Sequence, residues 1–131
     1  MLEERIVEVV RGELRGVVAV YLFGSRAGRQ ARSDSDVDVA VLVDGELSPL
    51  RRWEVQERLA AELNQDVDLV DLASASTVMR AQVVTTGTPI FDGDPPRRRR
   101  VEGETLAAYA RLNEDRREVL ERVAAEGRVL G

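Results

Sequence analysis

The chain has 131 residues, 44% of them hydrophobic and 33% charged, with a net charge of −5 at neutral pH, a composition that suits one globular domain around a single core. It contains no Cys and no His, and its 19 basic residues are all Arg, which excludes disulfides, Cys/His metal centres, histidine-activated nucleophiles and lysine chemistry. Any metal must therefore be held by carboxylates, and the acidic balance argues against general nucleic-acid binding.

Leu2, Ile6, Val9, Val10 and Leu14 recur at helical spacing, so residues 2–14 are predicted to form an amphipathic helix that Gly16 ends. Val17 to Phe23 is an unbroken apolar run, read as a strand buried on both faces. This longest run is far short of the about 20 residues a membrane span requires. The acidic start Met1-Leu2-Glu3-Glu4 is unlike a signal peptide, so a cytoplasmic location is expected. Residues 24–35 read as a turn and loop. Asp36 to Val43 reads as a second strand, with Asp36, Asp38, Ala40 and Leu42 on one face and Val37, Val39, Val41 and Val43 on the other.

Ser48-Pro49 has the form of a helix start, and Trp53, Gln56, Leu59, Ala60 and Leu63 supply its expected inner face up to Asn64. Asp66 to Leu72 alternates with period two, as a third strand does. A short helix over 76–86, stopped by Gly87, and a brief edge strand at Ile90-Phe91 follow. The predicted organisation is a core over 1–92, a Pro/Arg-rich loop over 93–103 and a final helix over 104–131. The Arg97 to Arg100 run is expected to be a solvated linker, and Trp53 and Tyr109 to lie in the core.

Two devices stand between the first two strands. Gly24-Ser25 ends the first, where glycine permits a sharp turn and close approach of a ligand to the backbone. Free N–H groups and the hydroxyl of Ser25 there favour a phosphate. Ten residues later Asp36-Val37-Asp38 opens the second strand, and its two carboxylates, on one face with Cα atoms roughly 6 to 7 Å apart, are hard oxygen ligands suited to Mg²⁺. Together they describe a nucleoside triphosphate held at Gly-Ser and activated by metal at the Asp pair.

A third carboxylate follows from topology. The short connection makes the first two strands antiparallel neighbours, and the helix after Pro49 returns the chain as a parallel third strand by a right-handed crossover. Asp68 is then third in its strand, as Asp38 is in its own, and is expected beside the pair. Asp44 lies roughly 20 Å along the strand, Asp71 points to the opposite face, Asp66 is the first residue of its strand, where an exposed acid is unremarkable, and Asp34 precedes the apolar run. Asp36 and Asp38 would bridge two metals, while Asp68 would ligate the metal nearer the nucleophile and accept its proton.

The pattern Gly24-Ser25, ten residues, Asp36-Val37-Asp38 and a later Val67-Asp68-Leu69-Val70 resembles the minimal nucleotidyltransferase (MNT) branch of the DNA polymerase β superfamily. The resemblance covers roughly residues 1–92. It implies an α/β (α+β) fold, polymerase-β-like, with a small mixed sheet flanked by helices, ATP as substrate and two Mg²⁺ ions. Gly24, Ser25, Arg26 and Arg32 would contact the triphosphate, and Asp36, Asp38 and Asp68 the metals. Arg29 fits loosely, because Gly28-Arg29 reverses the commoner order. Small members of this kind are commonly antitoxins that silence a HEPN-type RNase toxin by adding AMP to a tyrosine, which implies a hetero-oligomer with that partner. The competing expectations are a small-molecule nucleotidyltransferase of the aminoglycoside type and a non-catalytic antitoxin acting by contact alone.

Overall fold

The computed structural model describes residues 1–24 and 36–130. In chain order these form α1 (Leu2–Glu13), β1 (Val17–Phe23), β2 (Val37–Val43), α2 (Pro49–Leu63), β3 (Val67–Asp71), a single 3₁₀ turn at Leu72–Ser74, α3 (Thr77–Thr86), β4 (Thr88–Asp92) and α4 (Pro95–Leu130). The strands make one four-stranded mixed sheet in the order β3-β2-β1-β4. β1 runs antiparallel to β2 and β4, and β2 runs parallel to β3, as the connection lengths require.

The alternation of β2 divides the interior into two layers. Val37, Val39, Val41 and Val43 join Ile6 and Val10 of α1 and Val55, Leu59 and Leu63 of α2 on one face. Ala40 and Leu42 join Tyr21, Phe23, Leu72 and Val83 on the other, which α3 and α4 cover. β1 serves both layers, which explains its continuous apolar sequence.

Local signals fix the helix ends. The Ser48 hydroxyl accepts from the Arg51 N–H and Pro49 occupies the first turn of α2, while Asn64 closes it in the left-handed conformation at φ 52°. The face that α2 buries differs from the expected one. Val55, Leu59 and Leu63 point inward, whereas Trp53, two residues before Val55 and so about 200° around the helix, is 51% exposed. Gln56 and Arg52 instead close the open edge of the sheet: the Gln56 side-chain oxygen accepts from Leu69 N–H at 2.9 Å, and Arg52 donates to the Leu69 carbonyl at 3.0 Å.

The expected loop over 93–103 is helix. Asp94 caps α4 through its carboxylate to Arg97 N–H at 3.2 Å, and Pro95 and Pro96 fall in the first turn, where no N–H is needed. The Arg97 to Arg100 run is correspondingly not a free linker. Arg97 pairs with Asp44 at 2.9 Å, and Arg98 pairs with Asp92 at 2.9 Å and with Glu102 one turn on. Glu102 also accepts from the buried Tyr21 hydroxyl at 2.7 Å, so the base of α4 is tied to the centre of the sheet. Tyr109, expected in the core, is only half-buried on α4.

Candidate active site

β1 and β2 bring the glycine corner and the first carboxylates to one end of the sheet. Phe23 stands opposite Asp38 in the antiparallel register, so Gly24 lies directly over the Asp38 side chain. A Cβ on Gly24 would sit 2.1 Å from Asp38 Oδ2, and the residue's φ is +73°. Only glycine meets both conditions, because any side chain would strain the backbone and push the carboxylate away. Gly24 thus has a structural cause of its own, independent of any ligand.

Asp68 is where the topology puts it. Asp38 and Asp68 are register partners across the parallel β2–β3 pair. Their neighbours on either side, Val37, Val39, Val67 and Leu69, face the layer of α1 and α2. The two acids therefore project from the opposite face together, and Asp36 immediately precedes β2 on the same parity.

The electrostatics record this convergence. Desolvation raises the Asp38 carboxyl above its ordinary pKa of 3.8, and the charges of Asp68 and then Asp36 raise it further. Among the described residues, no three ligating side chains are drawn together tightly enough to enclose an ion. The three acids are instead neighbours that repel one another, with Asp38 partly buried and Asp36 and Asp68 exposed. Clustered hard oxygen donors of this kind fit a divalent cation of the Mg²⁺ type, which would relieve the repulsion.

The rejected acids are also accounted for. Asp44 lies at the far end of β2 in an ion pair with Arg97. Asp71 is buried and accepts from the Ser74 hydroxyl at 2.9 Å. Asp66 offers its backbone carbonyl to Val37 N–H at 2.9 Å. Ser25, Arg26, Arg29, Arg32 and Asp34 lie outside the described residues. Sequence reasoning missed the network of Tyr21, Arg98 and Glu102, whose partners are 81 and four residues apart from Glu102; the spacing of Arg98 and Glu102 was its one readable signal.

Comparison with known proteins places this geometry. Residues 4–96 match the family model described as polymerase beta, nucleotidyltransferase. The chain is 37% identical over 123 residues to the protein adenylyltransferase MntA of Shewanella oneidensis, covering 94% of this chain and 88% of that protein. It is 35% identical to a spectinomycin 9-adenylyltransferase of Staphylococcus aureus over 69% of the chain and 33% of that protein. Among solved structures, a toxin–antitoxin with AMP-PNP superimposes with a TM-score of 0.83 at 38% identity, covering 94% of this chain and 98% of that one. A tri-AMPylated S. oneidensis HEPN toxin in complex with MNT antitoxin gives 0.79 at 35% identity, covering 93% and 95%. With the strand register, the glycine corner and these likenesses in agreement, the chain belongs to the polymerase beta nucleotidyltransferase family.

Proposed function

We propose that this protein is an antitoxin that transfers AMP from Mg²⁺–ATP to a hydroxyl, a tyrosine in the first instance, of a cognate HEPN-type toxin. The observation that carries the reading is the Asp38–Asp68 register beside Gly24, in a chain similar over 94% of its length to a protein adenylyltransferase. Asp36, Asp38 and Asp68 would hold the metal. Gly24 would let the triphosphate approach the backbone, with Ser25, Arg26 and Arg32 as its remaining contacts. Bound Mg²⁺ neutralises phosphate charge and stabilises the attacking and leaving oxygens of an in-line displacement. Asp68, the more exposed acid of the register pair, would meet an incoming hydroxyl and accept its proton as the oxygen attacks the α-phosphorus and pyrophosphate leaves.

A protein acceptor is favoured over a small molecule by the extent of the likeness. Similarity to the spectinomycin enzyme covers 69% of the chain, whereas similarity to the adenylyltransferase and to the toxin–antitoxin structure covers 94%. The long α4 supports the same choice. It has 36 residues, and its outer part exposes Leu106, Val119, Leu120 and Val123. Exposed apolar side chains gain by burial against another surface, so these suit contact with the toxin.

The test is to incubate the chain with ATP, Mg²⁺ and the protein encoded beside it, and to weigh that protein. A gain of one or more AMP masses, absent with the Asp36→Ala/Asp38→Ala double variant, is expected. Toxin neutralised equally by that double variant, with no mass gain in either case, would establish neutralisation by contact alone.

A further inference from the structure

Beyond the C-terminal ends of β2 and β3, at the end of the sheet away from the acids, a cleft of about 430 Å³ opens between α3 and α4. Leu42, Leu72 and Val101 give it an apolar wall. Set into that wall are polar groups that the fold leaves unused. Thr105 is 3% exposed, and its hydroxyl oxygen is covered and has no hydrogen-bond partner among the described residues. The Arg80 side chain is partly buried, its Nε is covered and unpartnered, and it forms no ion pair among the described residues. Thr77, the first residue of α3 behind the capping Ser76, lines the same cleft. Of the other charged groups on its walls, Arg97 is held by Asp44 at 2.9 Å, and Glu104 is the acid.

A buried hydroxyl without a partner costs about 1–3 kcal/mol, and a covered guanidinium N–H without a partner carries a cost of the same kind. Valine and leucine at these positions would serve the fold better. What an arginine fork, a hydroxyl and the N-terminus of a helix have in common is complementarity to a tetrahedral oxyanion. The volume lies in the range of small-ligand sites, roughly 300–1,000 Å³, and the apolar wall leaves room for more than a bare anion.

We infer that this cleft is a second ligand site, which takes a small phosphomonoester with its phosphate on Arg80, Thr105 and the start of α3, and its organic body against Leu42, Leu72 and Val101. The Thr105 hydroxyl, covered in this structure, reaches the phosphate once the side chain turns about χ1 between the rotamers open to a helical threonine. The site is separate from the acids, since Val43 lies five residues beyond Asp38, roughly 16 Å along the strand. Glu104 opposes the anion and weakens its binding. Occupancy bridges α3 to α4 and so braces the projecting helix.

Titration calorimetry of the full chain in EDTA tests this, with inorganic phosphate, ribose 5-phosphate, AMP and adenosine as probes. AMP is expected to bind more tightly than phosphate, to lose at least tenfold in affinity in Arg80→Gln, and to lose several-fold in Thr105→Val with no fall in Tm. Glu104→Gln is expected to tighten it. Ribose 5-phosphate matching AMP upholds the site with a sugar as its organic body, and AMP far exceeding ribose 5-phosphate upholds it with a nucleoside. Adenosine binding as well as AMP, or affinities unchanged in both Arg80→Gln and Thr105→Val, overturns it. Neither variant touches the acids, so failure here leaves the proposed AMP transfer standing.

Discussion

The two faces of the sheet are built by the same strands and do opposite things. Towards α1 and α2, β2 presents Val37, Val39, Val41 and Val43 to a layer that is apolar throughout. Towards α3 and α4, it presents Asp38 before Ala40 and Leu42, and β1 presents Tyr21 with its hydroxyl on Glu102. One face contributes stability alone, and the other gives some of it up to hold charge. The raised pKa of Asp38 is the sign of that cost, since natural proteins often carry a strained or destabilised site where function needs it.

Substitutions on the two faces should therefore separate activity from stability. The largest effect on activity short of removing an acid is expected from Gly24→Ala, whose new Cβ meets Asp38 Oδ2 at 2.1 Å. A carboxylate displaced by about 1 Å costs on the order of 100-fold in rate, read as AMP transferred per minute, with the protein still folded by circular dichroism. On the apolar face, Leu59→Ala empties a fully buried position and should cost about 2–5 kcal/mol in urea unfolding. AMP transfer per folded molecule should be unchanged. If Leu59→Ala slowed transfer as much as Gly24→Ala does, the division between the faces would fail.

Smaller effects sharpen the picture. Burial, and then the hydrogen bond to Glu102, hold the Tyr21 phenol neutral, well above its ordinary pKa. Tyr21→Phe leaves Glu102 with Arg98 still in place, so a loss of about 1–2 kcal/mol is expected, again by urea unfolding. Asp38→Asn should do the reverse and raise Tm at neutral pH in the absence of metal. The sign follows from linkage: a carboxyl whose folded pKa exceeds its unfolded value binds its proton more tightly in the native state. Its penalty is thus absent below the ordinary value of 3.8 and complete above the raised folded pKa. The Tm advantage of Asp38→Asn should accordingly fade as the pH falls towards 4, and a constant advantage would count against charge repulsion as its cause.

Much of this arrangement was legible in the chain because period and spacing carry it. The alternation of residues 36–43 determined which side chains share a face, and the short connection before Asp36 and the crossover after Pro49 determined the register that pairs Asp38 with Asp68. Phase within a helix was less legible. Trp53 suggested an inner face by its size, but Val55, Leu59 and Leu63 define the buried side, and Trp53 is left outside. The segment 93–103 misled for a different reason. Two prolines and four arginines resemble a linker in composition, yet prolines suit a helix start, and Arg97 and Arg98 find Asp44, Asp92 and Glu102 as partners in the fold. The pair of Arg97 with Asp44, 53 residues apart, leaves no periodic trace.

The central claim is that acids from adjacent strands share a divalent cation beside the glycine corner. Titration of the chain with Mn²⁺, followed by electron paramagnetic resonance of the free ion in the presence of a non-hydrolysable ATP analogue, tests it most directly. The account predicts tight uptake by the wild type and a loss of at least tenfold in affinity in both Asp38→Asn and Asp68→Asn. Uptake by Asp68→Asn indistinguishable from wild type would contradict it.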